Sequence, residues 1–390
     1  MAKKSNSCAA AARVLLPCLA IAIALVARTA AGCPFCKPLK PTWSQSLAGA
    51  AFAALAEAER KLADGSTKLK VHRVFVSQKS AARASHLTLP LDFAASGGTL
   101  VLVFGTGQRD AALQALAWHA VPVNETSYAY FGRSPPAAAK ATERLKYFAP
   151  FLENADAAIA EDAYLEFAHA SFEDVVAVAE RLPSPRIRAW LVDPAIPPHR
   201  KGFYGLALGL ARDPNERRTN AELLRKLILE PQDDFRSGFD GILGGYLMLE
   251  GPRALELIDD RYLADPKAAD GDVRHALAAL RFYGEYGREI PAERVNAALR
   301  HLLARPEFAE SAVIDLARGK DWGAVDEIAR LYGQPSYAQS AIRRSIVGYL
   351  LACPNADAAE ALKRLREADP KGVAEAEQVL SRLGSVPGNE

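Results

Sequence analysis

The sequence predicts an α+β protein, mostly α: a small β domain over residues 32–133, then an α-solenoid of two-helix repeats over residues 134–390. Three observations carry this. Apolar and polar residues alternate with the period of a half-buried strand in the first third of the chain. Beyond residue 134, apolar residues recur at i, i+3, i+4 and i+7, one face of a helix. A glycine-rich octet that opens at Gly202 returns, half identical, 36 residues later at Gly238.

Composition bounds the rest. The chain has 390 residues, enough for two or three domains at roughly 150 each. Half the residues are hydrophobic and 24% are charged, which excludes both a disordered chain and a membrane bundle. A net charge of +2, from 48 basic and 46 acidic residues, leaves no basic surplus for a phosphate backbone. Nucleic acid is therefore not an expected partner.

Residues 1–31 read as an export signal. Lys3, Lys4 and Arg13 form a basic start, residues 14–27 are mostly apolar, and small residues continue up to Gly32. The apolar run is shorter than the roughly 20 residues that span a bilayer, and no later stretch reaches that length. Cleavage after Ala31 removes four basic residues, Lys3, Lys4, Arg13 and Arg28, and no acidic one, so the net charge falls from +2 to −2. It leaves Cys33, Cys36 and Cys353. A retained N-terminal anchor is one alternative. Another is lipidation of Cys33, since Ala30-Ala31-Gly32-Cys33 resembles a lipobox, with Ala30 where Leu is usual. The expected location is the periplasm or the extracellular space, membrane-associated only through such a lipid.

In the β domain, residues 69–76 alternate as a half-buried strand, and residues 100–104 read as a buried one closed by Gly105 and Gly107. Residues 113–118 suggest another strand. Residues 48–61 are ambiguous, helical by their alanine and glutamate, strand by their place before a strand. Ser134-Pro135-Pro136 reads as a linker or a helix start. Helical stripes come next at Ala160, Ala163, Tyr164, Phe167 and Ala168, and at Phe172, Val175, Val176, Ala179 and Leu182, with Ser171 as N-cap. Later stripes hold Val325, Ile328 and Tyr332 after Asp321 as a cap, and Ile342, Ile346, Tyr349 and Cys353.

Stepping on from Gly238 by 36, 36 and 35 residues lands on Arg274, Glu310 and Ser345, each opening an apolar stretch with a second helical pattern after it. The turns at Asp213-Pro214 and Asp265-Pro266 resemble those of HEAT repeats. Glycines four apart, Gly205 with Gly209 and Gly241 with Gly245, would let a neighbouring helix approach closely.

Cys33-Pro34-Phe35-Cys36, the tract at residues 147–153, the tract at residues 162–168 and Asp233-Asp234-Phe235-Arg236-Ser237-Gly238-Phe239-Asp240-Gly241 resemble those of a family of uncharacterised exported bacterial proteins. The resemblance covers most of residues 33–385. It implies a β-barrel-like head followed by HEAT-like repeats, and it implies no activity. The head also looks like an oligonucleotide/oligosaccharide-binding (OB) barrel of the netrin or metalloprotease-inhibitor type, although those domains carry several disulfides and this head has only Cys33 and Cys36.

Cys33 and Cys36 are the sharpest chemical motif. A structural disulfide is the reading export favours; a redox pair, two ligands of a metal site and a lipidated Cys33 stay open. His72, His86 or His119 could complete a metal site, though none is placed by spacing. Cys353 lies on an apolar stripe and reads as a buried thiol. No nucleophile elbow, Walker lysine, HExxH or dinucleotide loop occurs, and Asn124-Glu125-Thr126 is a chance glycosylation sequon. Asp233, Asp234, Arg236 and Asp240, and Asp321 with Trp322, are the surface-binding candidates; each also has a structural reading as cap, ion pair or wedge between repeats. Together these predict an envelope binding or scaffold protein with a protein partner, no cofactor and no catalytic activity. The alternative is a thiol-disulfide or metal-binding protein that uses Cys33 and Cys36.

Overall fold

The computed structural model describes residues 33–36, 40–77, 85–90, 98–108, 112–230 and 236–385. The chain is α+β and mostly α: five strands form one curled antiparallel sheet, and helices make up most of the remainder.

The strands are β1 (Phe52–Lys61), β2 (Thr67–Val76), β3 (His86–Leu89), β4 (Leu100–Thr106) and β5 (Ala117–Val123), in the order β3-β2-β1-β4-β5. From Phe52 on, the ambiguous segment is thus a strand. Its alanines favour a helix locally, but β1 is central and pairs with both β2 and β4. Pairing on both edges and cover on both faces outweigh propensity. The two faces bury separate clusters. Ala53 and Leu55 join the main core with Leu102 and Phe104; Phe52, Ala54 and Ala56 join a small core with Leu69, Leu87, Val101 and Val103 inside the curl.

The strand expected at 113–118 lies further on. Leu113–Ala115 is a 3₁₀ turn, and the Trp118 indole N–H donates to the Leu113 carbonyl (3.1 Å) while its ring packs on Phe52. Strand β5 then runs along one edge, where Pro122 leaves no ladder donor missing.

The helices are α1 (Trp43–Gly49), α2 (Glu125–Arg133), α3 (Ala141–Phe148), α4 (Ala157–His169), α5 (Phe172–Ala177), α6 (Ser184–Val192), α7 (Pro198–Gly209), α8 (Pro214–Leu229) and α9 (Phe239–Glu250). They continue as α10 (Pro252–Ile258), α11 (Asp270–Tyr286), α12 (Ala292–Arg300), α13 (Pro306–Arg318), α14 (Val325–Leu331), α15 (Ser340–Ala352), α16 (Ala356–Ala368) and α17 (Pro370–Ser385). Two of them stand where strand or loop was expected. Helix α1 starts on a capping box between Thr42 and Gln45, and α2 on one between Asn124 and Ser127. The sequon asparagine is therefore a helix cap, and its amide also donates to Asp156 (2.7 Å).

Among the first helices of successive pairs, α7 packs on α9, α9 on α11, α13 on α15 and α15 on α17, whereas α11 and α13 stay further apart. The register positions Gly202, Gly238, Arg274, Glu310 and Ser345 fall in α7, at the N-cap of α9, and in α11, α13 and α15. Polar bonds between units span a similar length of chain. Tyr262 donates to the Ile228 carbonyl (3.0 Å), and Tyr337 donates to the Leu303 carbonyl (2.8 Å). Each tyrosine lies 34 residues beyond its acceptor. Arg281 pairs with Asp315 and Arg305 with Asp270, tying α11 to α13.

The two glycine octets are each other's partners. A Cβ on Gly241 would lie 2.0 Å from the Gly202 carbonyl oxygen, and one on Gly245 would lie 2.1 Å from that of Gly205. Only hydrogen at these positions lets the backbones of α7 and α9 touch. One continuous core runs from Cys33 through the sheet and the helices to Ala376.

Candidate functional site

Cys33 and Cys36 form a disulfide across a tight turn whose Cys36 N–H bonds to the Cys33 carbonyl. Both cysteines are buried, and Cys33 N–H donates to the carbonyl of Ala168 at the end of α4 (3.1 Å). Phe35, between them, packs its ring 4.8 Å from that of Phe282 and against Gly244, where a Cβ would come within 2.7 Å of it. The motif is a plug seated on α9 and α11. Disulfide exchange requires an incoming thiolate to reach a sulfur, and burial obstructs that approach. A Cys33 sulfur bonded to Cys36 also leaves no thiol for a lipid. Among the described residues no three His, Cys, Asp or Glu side chains gather as a metal site. His72 and His86 lie beside Glu57 and Glu59 on the sheet, and His119 stacks on Phe104.

The expected surface residues are engaged within the molecule. The Arg236 guanidinium lies 3.3 Å from the Phe239 ring centroid and pairs with Asp272 (2.7 Å). Asp240 accepts from the Gly241 N–H and faces His275 at 3.8 Å. Asp233 and Asp234 lie outside the described residues. Asp321 makes no side-chain cap. Its carboxylate takes both arms of the Arg300 guanidinium instead. Trp322 packs against Tyr349 (5.3 Å), whose hydroxyl donates to the Asp321 carbonyl. The structure brings Asp321 and Trp322 together as a staple between helices, and places Arg236 and Asp240 in a separate one.

A buried polar cluster joins the head to the helices. Asp162 on α4 accepts from the Trp43 N–H (2.7 Å) and the Tyr130 hydroxyl (2.8 Å). Glu166, one turn on, accepts from Ser44 (2.7 Å) and forms an ion pair with Arg144 of α3. Burial pushes the Asp162 carboxyl up to about 7, against the pull of its two donors. Every member of this cluster has a partner, so it holds α1, α2, α3 and α4 in one arrangement.

Two clefts flank α2. One, of about 440 Å³, is floored by Tyr130, Tyr147 and Phe151, with Glu125 and Arg133 at its rim. The other, of about 360 Å³, lies between β2, α1, α2 and the Pro135-Pro136 segment. Its walls are Leu47, Phe75, Tyr128, Phe131 and the prolines; among the described residues that line it, Arg73 is the one charged side chain. Arg73 lies 5.3 Å from the Phe75 ring centroid and donates to the Tyr128 hydroxyl (3.3 Å). This site was not legible in the sequence. The alternation of β2 puts Arg73 and Phe75 on one face, but their partners sit on α2, which reads as β-rich from composition. The capping box at Asn124 and Ser127 was the available signal.

No protein-family model and no curated protein sequence matches the chain. Among solved structures, that of human deoxyhypusine hydroxylase in complex with glycerol is similar over 65% of this chain and 94% of its own, at 16% identity and a TM-score of 0.27.

Proposed function

We propose that the protein is an exported binding or scaffold protein of the cell envelope: an OB-like head, locked to a HEAT-like run of helical pairs, that presents the outer faces of those pairs to a partner protein. The observation that carries this is the recurrence of one bond. Tyr262 to Ile228 and Tyr337 to Leu303 repeat the same contact 75 residues apart, as equivalent units of a repeat array would. Arrays of this kind bury their inner faces against neighbours and offer extended outer surfaces. The strand order supports the OB-like reading, since β3-β2-β1-β4-β5 is that of such a barrel before β3 meets β5. Export rests on residues 1–31, and the buried disulfide suits an oxidising compartment. Among the described residues no helix is long and apolar enough to cross a membrane.

Affinity capture with the mature chain from its native envelope, followed by cross-linking mass spectrometry, tests the reading. It expects one protein enriched saturably, with cross-links on α8 to α16. No enrichment over a scrambled-charge control, or cross-links confined to the head, would overturn it.

A further inference from the structure

We propose that the cleft between β2 and α2 binds a monocarboxylate amphiphile, a fatty-acid-like molecule whose chain lies on Leu47, Phe75 and Phe131 and whose carboxylate meets Arg73. The site lies in the head and goes beyond the partner-protein reading, which it does not require. Its volume of about 360 Å³ falls in the size range of small-molecule sites. Its lining is apolar apart from a few hydroxyls and one guanidinium. Arg73 has no carboxylate at ion-pair distance among the described residues. Its bond to the Tyr128 hydroxyl oxygen leaves that O–H able to donate, so guanidinium and phenol can converge on one carboxylate. Ser44, at the floor, already donates to Glu166, and it accepts from the Arg144 side chain. Among the described lining residues, one positive group and no negative one in an apolar wall select a single negative charge on an apolar body.

Gly132 supplies an independent observation. It lies on α2 in the cleft wall, and a Cβ there meets nothing within 4 Å. Neither packing nor a left-handed backbone requires glycine at this position, and glycine is a poor helix former. A large side chain grown from this position would enter the open space of the cleft.

Isothermal titration of the mature protein with decanoate, decanol and decyltrimethylammonium, all below their aggregation concentrations, tests this. Decanoate should bind one to one, at least about tenfold more tightly than decanol, with the cation weaker still. Arg73→Gln should bring decanoate down to the level of decanol. Gly132→Phe should abolish both, with Gly132→Ala as the folded control. Equal binding of decanoate and decanol, an Arg73→Gln protein that binds decanoate as the wild type does, or no binding of decanoate at all would overturn the proposal. Such a result would leave capture of a partner protein by the repeats untouched.

Discussion

Phe35 seats on α9 because Gly244 has no side chain: a Cβ at Gly244 would lie 2.7 Å from two carbons of the Phe35 ring. The N-terminal turn and the repeat array are thereby fitted to each other at one point. Phe35→Ala should cost about 3–5 kcal/mol, the usual range for emptying a buried aromatic site. Gly244→Ala should cost about 1–3 kcal/mol through overpacking. In the Phe35→Ala background the Gly244→Ala penalty should largely vanish. Urea denaturation of the two single variants and the double variant measures this coupling. Additive penalties would mean that Phe35 does not seat there.

The contact of α7 with α9 is tighter still. Gly241→Leu places a side chain where the Gly202 carbonyl oxygen now lies 2.0 Å from the Cβ position. Its neighbour is backbone and has no rotamer to yield. A loss of at least about 1–3 kcal/mol is expected, read as a lowered melting temperature. An unchanged melting temperature would show this face to be open.

Equivalent bonds should have similar worth. Tyr262→Phe and Tyr337→Phe each remove one buried hydrogen bond to a carbonyl of the preceding unit. Each should cost about 0.5–1.5 kcal/mol by chemical denaturation. Tyr262 should fall at the upper end, because its hydroxyl also receives Arg236 (3.4 Å). A variant without cost at either position would break the equivalence of the units.

Asp162 gives the head-to-helix junction a pH dependence. Its carboxyl titrates near 3.8 when free and about 7 when buried in the folded chain. Below pH 3.8 both states are protonated. Between 3.8 and 7 the folded state holds a proton that the unfolded state has lost, so stability falls as pH rises. Above 7 the full penalty applies, a few kcal/mol, on the order of 1.4 for each pH unit separating the two titrations. Asp162→Asn keeps an acceptor for the Trp43 N–H and does not titrate. The difference in stability between variant and wild type should therefore grow in the variant's favour from pH 4 to pH 7. Parallel stability curves over that range would contradict the assignment.

Much of the helical half was legible in the sequence because its signals are local. The stripes at Ala160 and Ile342 and the Ser171 cap are all present, and the octet spacing located α7 and α9. That the octets pack on each other was not legible, since a glycine pattern states that something comes close without saying what. β1 was ambiguous because its alanines become strand residues only when β2 and β4 pair with them. Helices α1 and α2 were missed although Thr42 with Gln45 and Asn124 with Ser127 announce them. The cleft was invisible for a deeper reason. Arg73 and Tyr128 are 55 residues apart, and no periodicity reports a contact of that range.

On the proposed reading the protein binds rather than catalyses, and Cys33 and Cys36, a buried disulfide, serve as an anchor. The most direct measurement is the rate at which the purified protein, supplied with a thiol reductant, reduces a simple aromatic disulfide. The predicted rate is no greater than that of a free dithiol at equal concentration, and it is unchanged in the Cys33→Ser, Cys36→Ser double variant. Turnover well above the free dithiol, lost in the double variant, would contradict the account.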